Sequence, residues 1–244
     1  MEASSTELPL ISIIVPVFNE EDNIMMAYEE LCKVFEEHNG RYRFELIFTD
    51  NHSKDKTYNT LIDITNKDKR VRAVRFNRNY GFHRSVMTGY KLSTGQAVVQ
   101  IDCDLQDPPL LINKFIELWK QGHDVVVGVR RKRKESYLLT LLRRIFYAFV
   151  NRIAEDEITL NAGDFRLVDR SVVNRVVSLN DSNPYIRGLT SAFSINETGV
   201  VYDRNERLHG ESKFPIFRLI KLGRDGIFSL TLFPLKFAGH ISLF

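Results

Sequence analysis

The sequence predicts an α/β domain on a mostly parallel sheet with helices on both faces. Two observations predict it: short, continuous apolar runs rich in β-branched residues, the mark of strands buried on both faces, and segments of helical period alternating with them. The first run is LISIIVPV (10–17). Residues 21–37 then place Ile24, Ala27, Leu31, Val34 and Phe35 on one helical face, and His38, Asn39 and Gly40 supply the stop. FELIFTD (44–50) and VRAVRF (71–76) read as the next two strands, followed by a helix from about Arg84 to Leu92. QAVVQID (96–102) is the fourth strand, DPPLLINKFIELWK (107–120) a helix opened by its two prolines, and DVVVGV (124–129) the fifth strand. Five strands thus alternate with helical segments. In such sheets ligands lie beyond the carboxyl ends of the strands. Asn19, Asp50, Asn77, Asp102 and Asp104 all fall just past strand ends, which locates the expected site.

At 244 residues, 43% hydrophobic and 27% charged, the chain has a globular composition and the length for one large domain. Its two cysteines do not suggest a disulfide framework: Cys32 lies in a helical pattern and Cys103 between two aspartates. A reducing, cytoplasmic setting is expected. The N-terminal MEASSTELP has neither the basic start nor the apolar stretch of a secretion signal. Net charge is only +3, but five basic residues, Arg130 to Lys134, stand in succession. Residues 137–152 follow as an amphipathic helix with Leu138, Leu141, Leu142, Ile145 and Phe149 on one stripe. About 24 Å long at 1.5 Å per residue, and carrying Arg143 and Arg144, it is a poor membrane span. It reads either as a helix packed on the sheet or as one lying in a membrane interface. Residues 215–244 repeat the combination of basic and apolar residues, so a catalytic domain over 1–212 and an amphipathic juxtamembrane segment over 213–244 are expected.

The sharpest local signal is IDCDLQDPP (101–109). At a strand end alternate residues point the same way, so Asp102, Asp104 and Gln106 are expected to converge as oxygen ligands. Oxygen donors select a hard divalent cation, Mg2+ or Mn2+, bridging a pyrophosphate. The chain contains neither GxGxxG nor GxxxxGK[ST], which weakens dehydrogenase and P-loop readings. Phosphate recognition then falls to Arg130, Arg131, Arg204, Arg207 and Lys213, with Gly210 allowing the last loop to turn.

ISIIVPVFNEEDNI, TDNHSKDKT, RFNRNYGFHRSVMTGY, IDCDLQDPP, DVVVGVRRKRKE, AGDFRLVDRSVV, YIRGL and YDRNERLHGESKF occur in the order and approximate spacing found in family 2 glycosyltransferases that use polyprenyl phosphates. The chain resembles that family over residues 10–235, and most of all its bactoprenol glucosyltransferase branch; dolichyl-phosphate mannosyltransferase and the undecaprenyl-phosphate aminoarabinose transferase are relatives. The resemblance implies a GT-A fold. It implies that Pro16, Phe18 and Glu20 with Asp50 hold the nucleotide base and ribose, and that Asn79 lies among the donor-binding residues. Asp102, Asp104 and Gln106 match the metal and diphosphate motif, and Asp104 is counted as catalytic. Arg130 and Arg131 match basic residues after the next strand; Asp164 and Arg166 match an acceptor-side motif whose Asp is usually proposed to be catalytic. Arg204, Arg207 and Lys213 look like the groups that receive the acceptor phosphate and the leaving diphosphate.

Two departures stand out. Where many members have two adjacent aspartates before Gly-Ser, this chain has Asp50, Asn51, His52 and Ser53, which loosens the expectation of base preference. The branch normally continues past the match to SLTLFPLKFAG with two transmembrane helices, so the chain is expected to be a fragment cut at the first span or, as the alternative, to depend on its interfacial helices alone. The implied reaction is inverting transfer of a sugar, glucose from UDP-glucose first among the choices, to polyprenyl phosphate at the cytoplasmic face of the cell membrane. The expected partners are a UDP-sugar donor, the lipid phosphate and the membrane surface, with no nucleic acid and with a homo-oligomer left open. GDP-mannose or another donor is the alternative within the branch. A glycosyltransferase with a non-lipid acceptor, a nucleotidyltransferase and a silent nucleotide-binding module are the rivals outside it; the GDFRL and GESK strings argue against the first two, and Asp102, Asp104 and Gln106 against the third.

Overall fold

In a computed structural model, the structure describes residues 7–131 and 162–205. The described residues up to Arg130 and from Ala162 form one compact unit. Its elements in chain order are β1 (Leu10–Val17), α1 (Ile24–Glu37), β2 (Arg43–Asp50), α2 (Thr57–Lys67), β3 (Val71–Arg75), α3 (Phe82–Leu92), β4 (Ala97–Gln100), α4 (Leu111–Lys120) and β5 (Val125–Arg130). After the undescribed residues come β6 (Ala162–Asp169), α5 (Arg170–Ser178), α6 (Ile186–Ala192) and β7 (Glu197–Tyr202). The amphipathic segments at 137–152 and 213–244 lie outside the described residues, as do both sides of the expected domain boundary at 212. Among the described residues no helix is long and apolar enough to cross a membrane.

The strands form one seven-stranded sheet in the order β3-β2-β1-β4-β6-β5-β7. The alternation expected for the first 130 residues holds, and apolar alternation explains the layers. Ile11, Ile13, Val15 and Val17 of β1 pack with Leu31, Val34 and Phe35 of α1 and Ile112, Phe115 and Ile116 of α4. Ile14 faces the other way, into a cluster with Val86, Met87 and Tyr90 of α3 and Val172, Val173 and Val176 of α5. Both faces of β1 are thereby dry, which is why its sequence is apolar at every position but Ser12, whose buried hydroxyl donates to Glu45.

One strand breaks the parallel pattern. β6 enters between β4 and β5 and runs antiparallel to both, while β7 lies parallel to β5 at the edge. The register pairs Ala97 with Asp169 and Gln100 with Arg166, so its continuation brings Asp164 level with Asp102. The parallel strands deliver their carboxyl ends to the site edge; the reversed strand delivers its amino end to the same edge. Beside it, the β5–β6 register shifts between Val127 and Val129. Gly128 sits at that irregularity, and a Cβ there would come within 2.9 Å of the Tyr202 ring and 3.2 Å of the Phe165 carbonyl oxygen.

Two expected boundaries move. β4 ends at Gln100, two residues before the aspartate, and Leu105 adopts a left-handed backbone (φ 55°). Asp102, Asp104 and Gln106 therefore lie on a turn, and strand alternation does not set their directions. The prolines also precede the helix: Leu111 and Ile112 donate from their amides to the carbonyls of Pro108 and Pro109 in tight turns, and regular α4 starts at Leu111.

Candidate active site

The loops after β1 and β2 are fastened together by hydrogen bonds between the backbone of one and the side chains of the other. Asn19 donates its amide to Ser53 Oγ at 2.9 Å and Glu20 to Thr57 Oγ1 at 2.8 Å, while the Lys54 amide reaches Asn19 Oδ1 at 2.9 Å. Asn19 and His52 both take positive φ, 55° and 65°, a conformation that asparagine and histidine tolerate better than most residues. Pro16 lies at the end of β1 opposite Thr49, Phe18 is exposed, and Glu20 holds the Asn23 side chain at 2.6 Å. Asp50 is fully buried. Its Oδ1 receives the Ser53 amide at 2.9 Å; Oδ2 has no hydrogen bond and lies 3.3 Å from Arg75 Nε. Asn79 accepts the Gly81 amide at 2.8 Å and so shapes the entry to α3.

The edge beyond β4 and β6 is crowded with carboxylates. Asp102 is pushed up to about 8, first by burial and then by Asp164, Asp107 and Asp104, against which Arg130 is a partial offset. Asp104 is buried and receives the Gln106 amide at 3.3 Å; the Gln106 side chain reaches toward the Asn205 carbonyl at 3.5 Å. Asp107, fully buried, is the hub. Arg130 meets its Oδ2 at 3.1 Å, while Arg204 at 3.2 Å and the Tyr202 hydroxyl at 2.5 Å donate to Oδ1. The chain after β7 is pinned to the acidic turn by Asn205, whose amide donates to the Gln106 carbonyl at 2.9 Å.

Sequence reasoning missed Asp107, because the two arginines it meets lie 23 and 97 residues away along the chain. Treated as the start of a helix, DPP looks like capping; in the fold the aspartate instead gathers Arg130 and Arg204, from strand ends more than 70 residues apart.

Asp164 and Arg166 share β6 but have different surroundings. Asp164 takes a two-bond fork from Arg187, Nε to Oδ1 at 2.7 Å and Nη2 to Oδ2 at 2.5 Å. Burial alone would raise the Asp164 carboxyl; Arg187, with Arg166 and His83 nearby, holds it at about 2. Arg166 is 1% exposed. It donates to the Gly163 carbonyl at 2.9 Å, to Thr190 Oγ1 and to the Arg187 carbonyl at 3.5 Å. Arg131 belongs to a second unit, and Arg207 and Lys213 lie outside the described residues.

A profile described as Glycosyl transferase family 2 matches residues 12–177. The chain belongs to glycosyl transferase family 2. It is 40% identical over 95% of its length to a protein of Bacillus subtilis (strain 168) named uncharacterized glycosyltransferase YkcC, covering 72% of that protein. It is 37% identical over 96% of its length to the bactoprenol glucosyl transferase of Shigella phage SfX, covering 76% of that protein. Among solved structures, the glucosyl-3-phosphoglycerate synthase of Mycobacterium tuberculosis, in complex with Mn2+, UDP and phosphoglyceric acid, superposes with a TM-score of 0.62. That match covers 88% of this chain and 75% of the other at 19% identity, and shows the shared fold. The GT-A architecture and glycosyltransferase activity expected from the strings above are borne out.

The donor set at this edge can be tested for a divalent cation. Among the described residues no group of three or more His, Cys, Asp and Glu side chains forms a ready metal cage. The oxygens of Asp102 and Asp104 nevertheless fit a hard cation that keeps open positions for phosphate oxygens. Asp164, Asp107 and Asp104 all add negative charge around Asp102, which a bound cation would offset, although burial is the first cause of its raised carboxyl.

Proposed function

We propose that this glycosyltransferase moves a sugar, glucose from UDP-glucose in the first instance, onto polyprenyl phosphate at the cytoplasmic membrane face, with inversion at the anomeric carbon. The observation that carries the reading is the 36–37% identity, over 96% of this chain, to several proteins named bactoprenol glucosyl transferase. The site is compatible with it. Asp50, with Pro16, Phe18, Glu20 and Asn79 around the same edge, would hold base and ribose; its buried Oδ2 is an acceptor without a hydrogen bond, suited to a donor group of the ligand. Asp102, Asp104 and Gln106 would hold Mg2+ or Mn2+. The cation would supply charge neutralisation for the diphosphate as its bond to the sugar breaks.

The acceptor simplifies the chemistry. A phosphate monoester with a second pKa of about 6 is mostly a dianion at neutral pH, so the nucleophile needs no strong base. What the protein must do is bring two polyanions together. Arg130 and Arg204, held by Asp107, face that task from the described edge, and Arg131, Arg207 and Lys213 are proposed to join them. Asp164, held ionised by Arg187, is suited to orient the acceptor or to balance positive charge. Attack opposite the leaving group gives a β-linked product from an α-linked donor. Membrane contact is assigned to residues 130–152 and 215–244, whose basic residues are worth about 1 kcal/mol each beside an anionic leaflet.

The test is incubation of the full chain in lipid with Mn2+ or Mg2+, undecaprenyl phosphate and a panel of nucleotide sugars, with the lipid-linked product read by mass. Transfer from UDP-glucose is expected. Transfer only from GDP-mannose would change the donor, and transfer only to water-soluble acceptors would overturn the lipid reading. Sedimentation with anionic vesicles, weakening with salt, is expected for the same chain; salt-independent absence of binding would remove the membrane assignment.

A further inference from the structure

Among the matched strings, YIRGL had no role assigned to it, and the structure places its arginine at the centre of the reacting edge. Arg187 lies in the first turn of α6, next to the buried Ile186, and meets Asp164 through the two parallel bonds described above. That fork fixes both carboxylate oxygens at once, which a single lysine-type contact cannot do. The Arg187 side chain is 37% exposed and that of Asp164 16%, so the pair opens to solvent on one side. It is also supported from behind. Buried Arg166 donates from β6 to the Arg187 carbonyl and to Thr190 of the same helix, tying the backbone of α6 to the strand that bears Asp164. Strand and helix are therefore joined twice, by Arg166 in the core and by Arg187 at the edge.

The surroundings of the pair argue for function over simple stability. Asp164 feels Arg187 from α6, Arg166 from its own strand, His83 and Tyr90 from α3, and Asp102 from the turn after β4. Arg187 in turn feels Asp102. The His83 ring stacks edge-on against Tyr185, at 5.5 Å, and its Nδ1 is buried without a hydrogen bond, so α3 closes the pair on one side without offering Asp164 a competing donor from that atom.

We propose that Arg187 is the positioning residue of the acceptor side, acting through Asp164 by holding that carboxylate in one orientation opposite Asp102. The inference rests on the glycosyl-transfer reading above. It separates the two arginines around Asp164: Arg166, which the sequence singled out, acts as an internal tie, and Arg187, which it did not, as the group that aims Asp164.

The experiment is a double-mutant cycle in the full chain, with Arg187→Gln, Asp164→Asn and both together, measured for transfer to undecaprenyl phosphate and for release of UDP from the donor alone. Arg187→Gln is expected to lower kcat about 100-fold with KM for the donor within about twofold, since donor contacts lie elsewhere. The double variant should be no slower than Asp164→Asn, because the two residues act as one unit. Arg187→Lys should restore part of the rate while staying well below wild type, and it covers the case in which Arg187→Gln melts before assay. Multiplicative losses in the double variant, or wild-type kcat in either Arg187 variant, overturn the inference. A wild-type chain that releases UDP but makes no lipid product overturns the acceptor reading instead, and the cycle is then scored on UDP release by the same criteria.

Discussion

The two ends of the same sheet treat charge in opposite ways. At the end where the strands begin, each carboxylate is satisfied locally: Glu45 receives Ser12 Oγ at 2.6 Å, the Thr94 amide at 2.6 Å and Arg72 at 2.8 Å. Burial would raise the Glu45 carboxyl, but those donors hold it below its ordinary range. Asp68 is likewise held by Arg70 at 2.6 Å and by the Tyr28 hydroxyl at 3.0 Å. At the end where the parallel strands finish, Asp164, Asp107 and Asp104 crowd around Asp102 and add to its cost of ionisation. The helices and core are shared, so the difference is one of purpose: local pairing stabilises a fold, whereas crowded like charge is kept where a ligand's opposite charge will complete it.

The contrast can be broken from either end. The largest expected effect is at the crowded end, where Asp104→Asn should lower metal-dependent turnover about a thousandfold, roughly 4 kcal/mol in the transition state, with an unchanged melting temperature. Turnover close to wild type would remove Asp104 from the metal site. Next is Asp107→Ala, which leaves Arg130, Arg204 and Tyr202 without their common partner. A loss of about 3 kcal/mol in denaturant unfolding is expected, together with loss of transfer, because a buried partner of two cations is removed. A variant of normal stability would show that the hub is dispensable.

At the other end Glu45→Ala should cost about 2 kcal/mol of stability while leaving kcat and both KM values unchanged, and a fall in kcat would deny the division of labour between the two ends. The smallest effect is on pH. Asp68 is lowered to about 2, by the Arg70 hydrogen bond first, so its contribution is present above its unfolded value and is lost as pH falls from about 4 toward 2. Arg70 is 46% exposed, which screens the pair and reduces the expected loss to about 1 kcal/mol. Asp68→Asn should flatten that part of the stability curve; an identical acid limb would assign it to other groups.

The sequence was a good guide where local pattern decides structure. Apolar runs showed β1 to β5, and the amphipathic spacing of Ile24, Leu31, Val34 and Phe35 showed α1. It was a poor guide where position depends on pairing between distant segments. AGDFRLVD has glycine, arginine and two aspartates among its eight residues, and nothing in its own period announces a central strand inserted against the direction of its neighbours. For the same reason Asp107 and Arg187 were passed over: each matters through a partner far away in sequence. Asp102, Asp104, Asp164, Arg130 and Arg204 were legible and do meet at one edge, although the turn at Leu105, rather than strand alternation, arranges Asp102, Asp104 and Gln106.

The reversed strand also makes core packing a proofreader of the site. Phe165 and Leu167 are buried in the cluster with Phe115, and Phe165 lies 4.7 Å from that ring, whereas Val168 faces the opposite cluster with Val172 and Val176. A slip of one residue in β6 would exchange its faces, carrying Arg166 toward Phe115 and replacing Asp164 at the level of Asp102 by Gly163 or Phe165. Misalignment that would disable the chemistry is thereby made costly in the apolar layers, well away from any ligand.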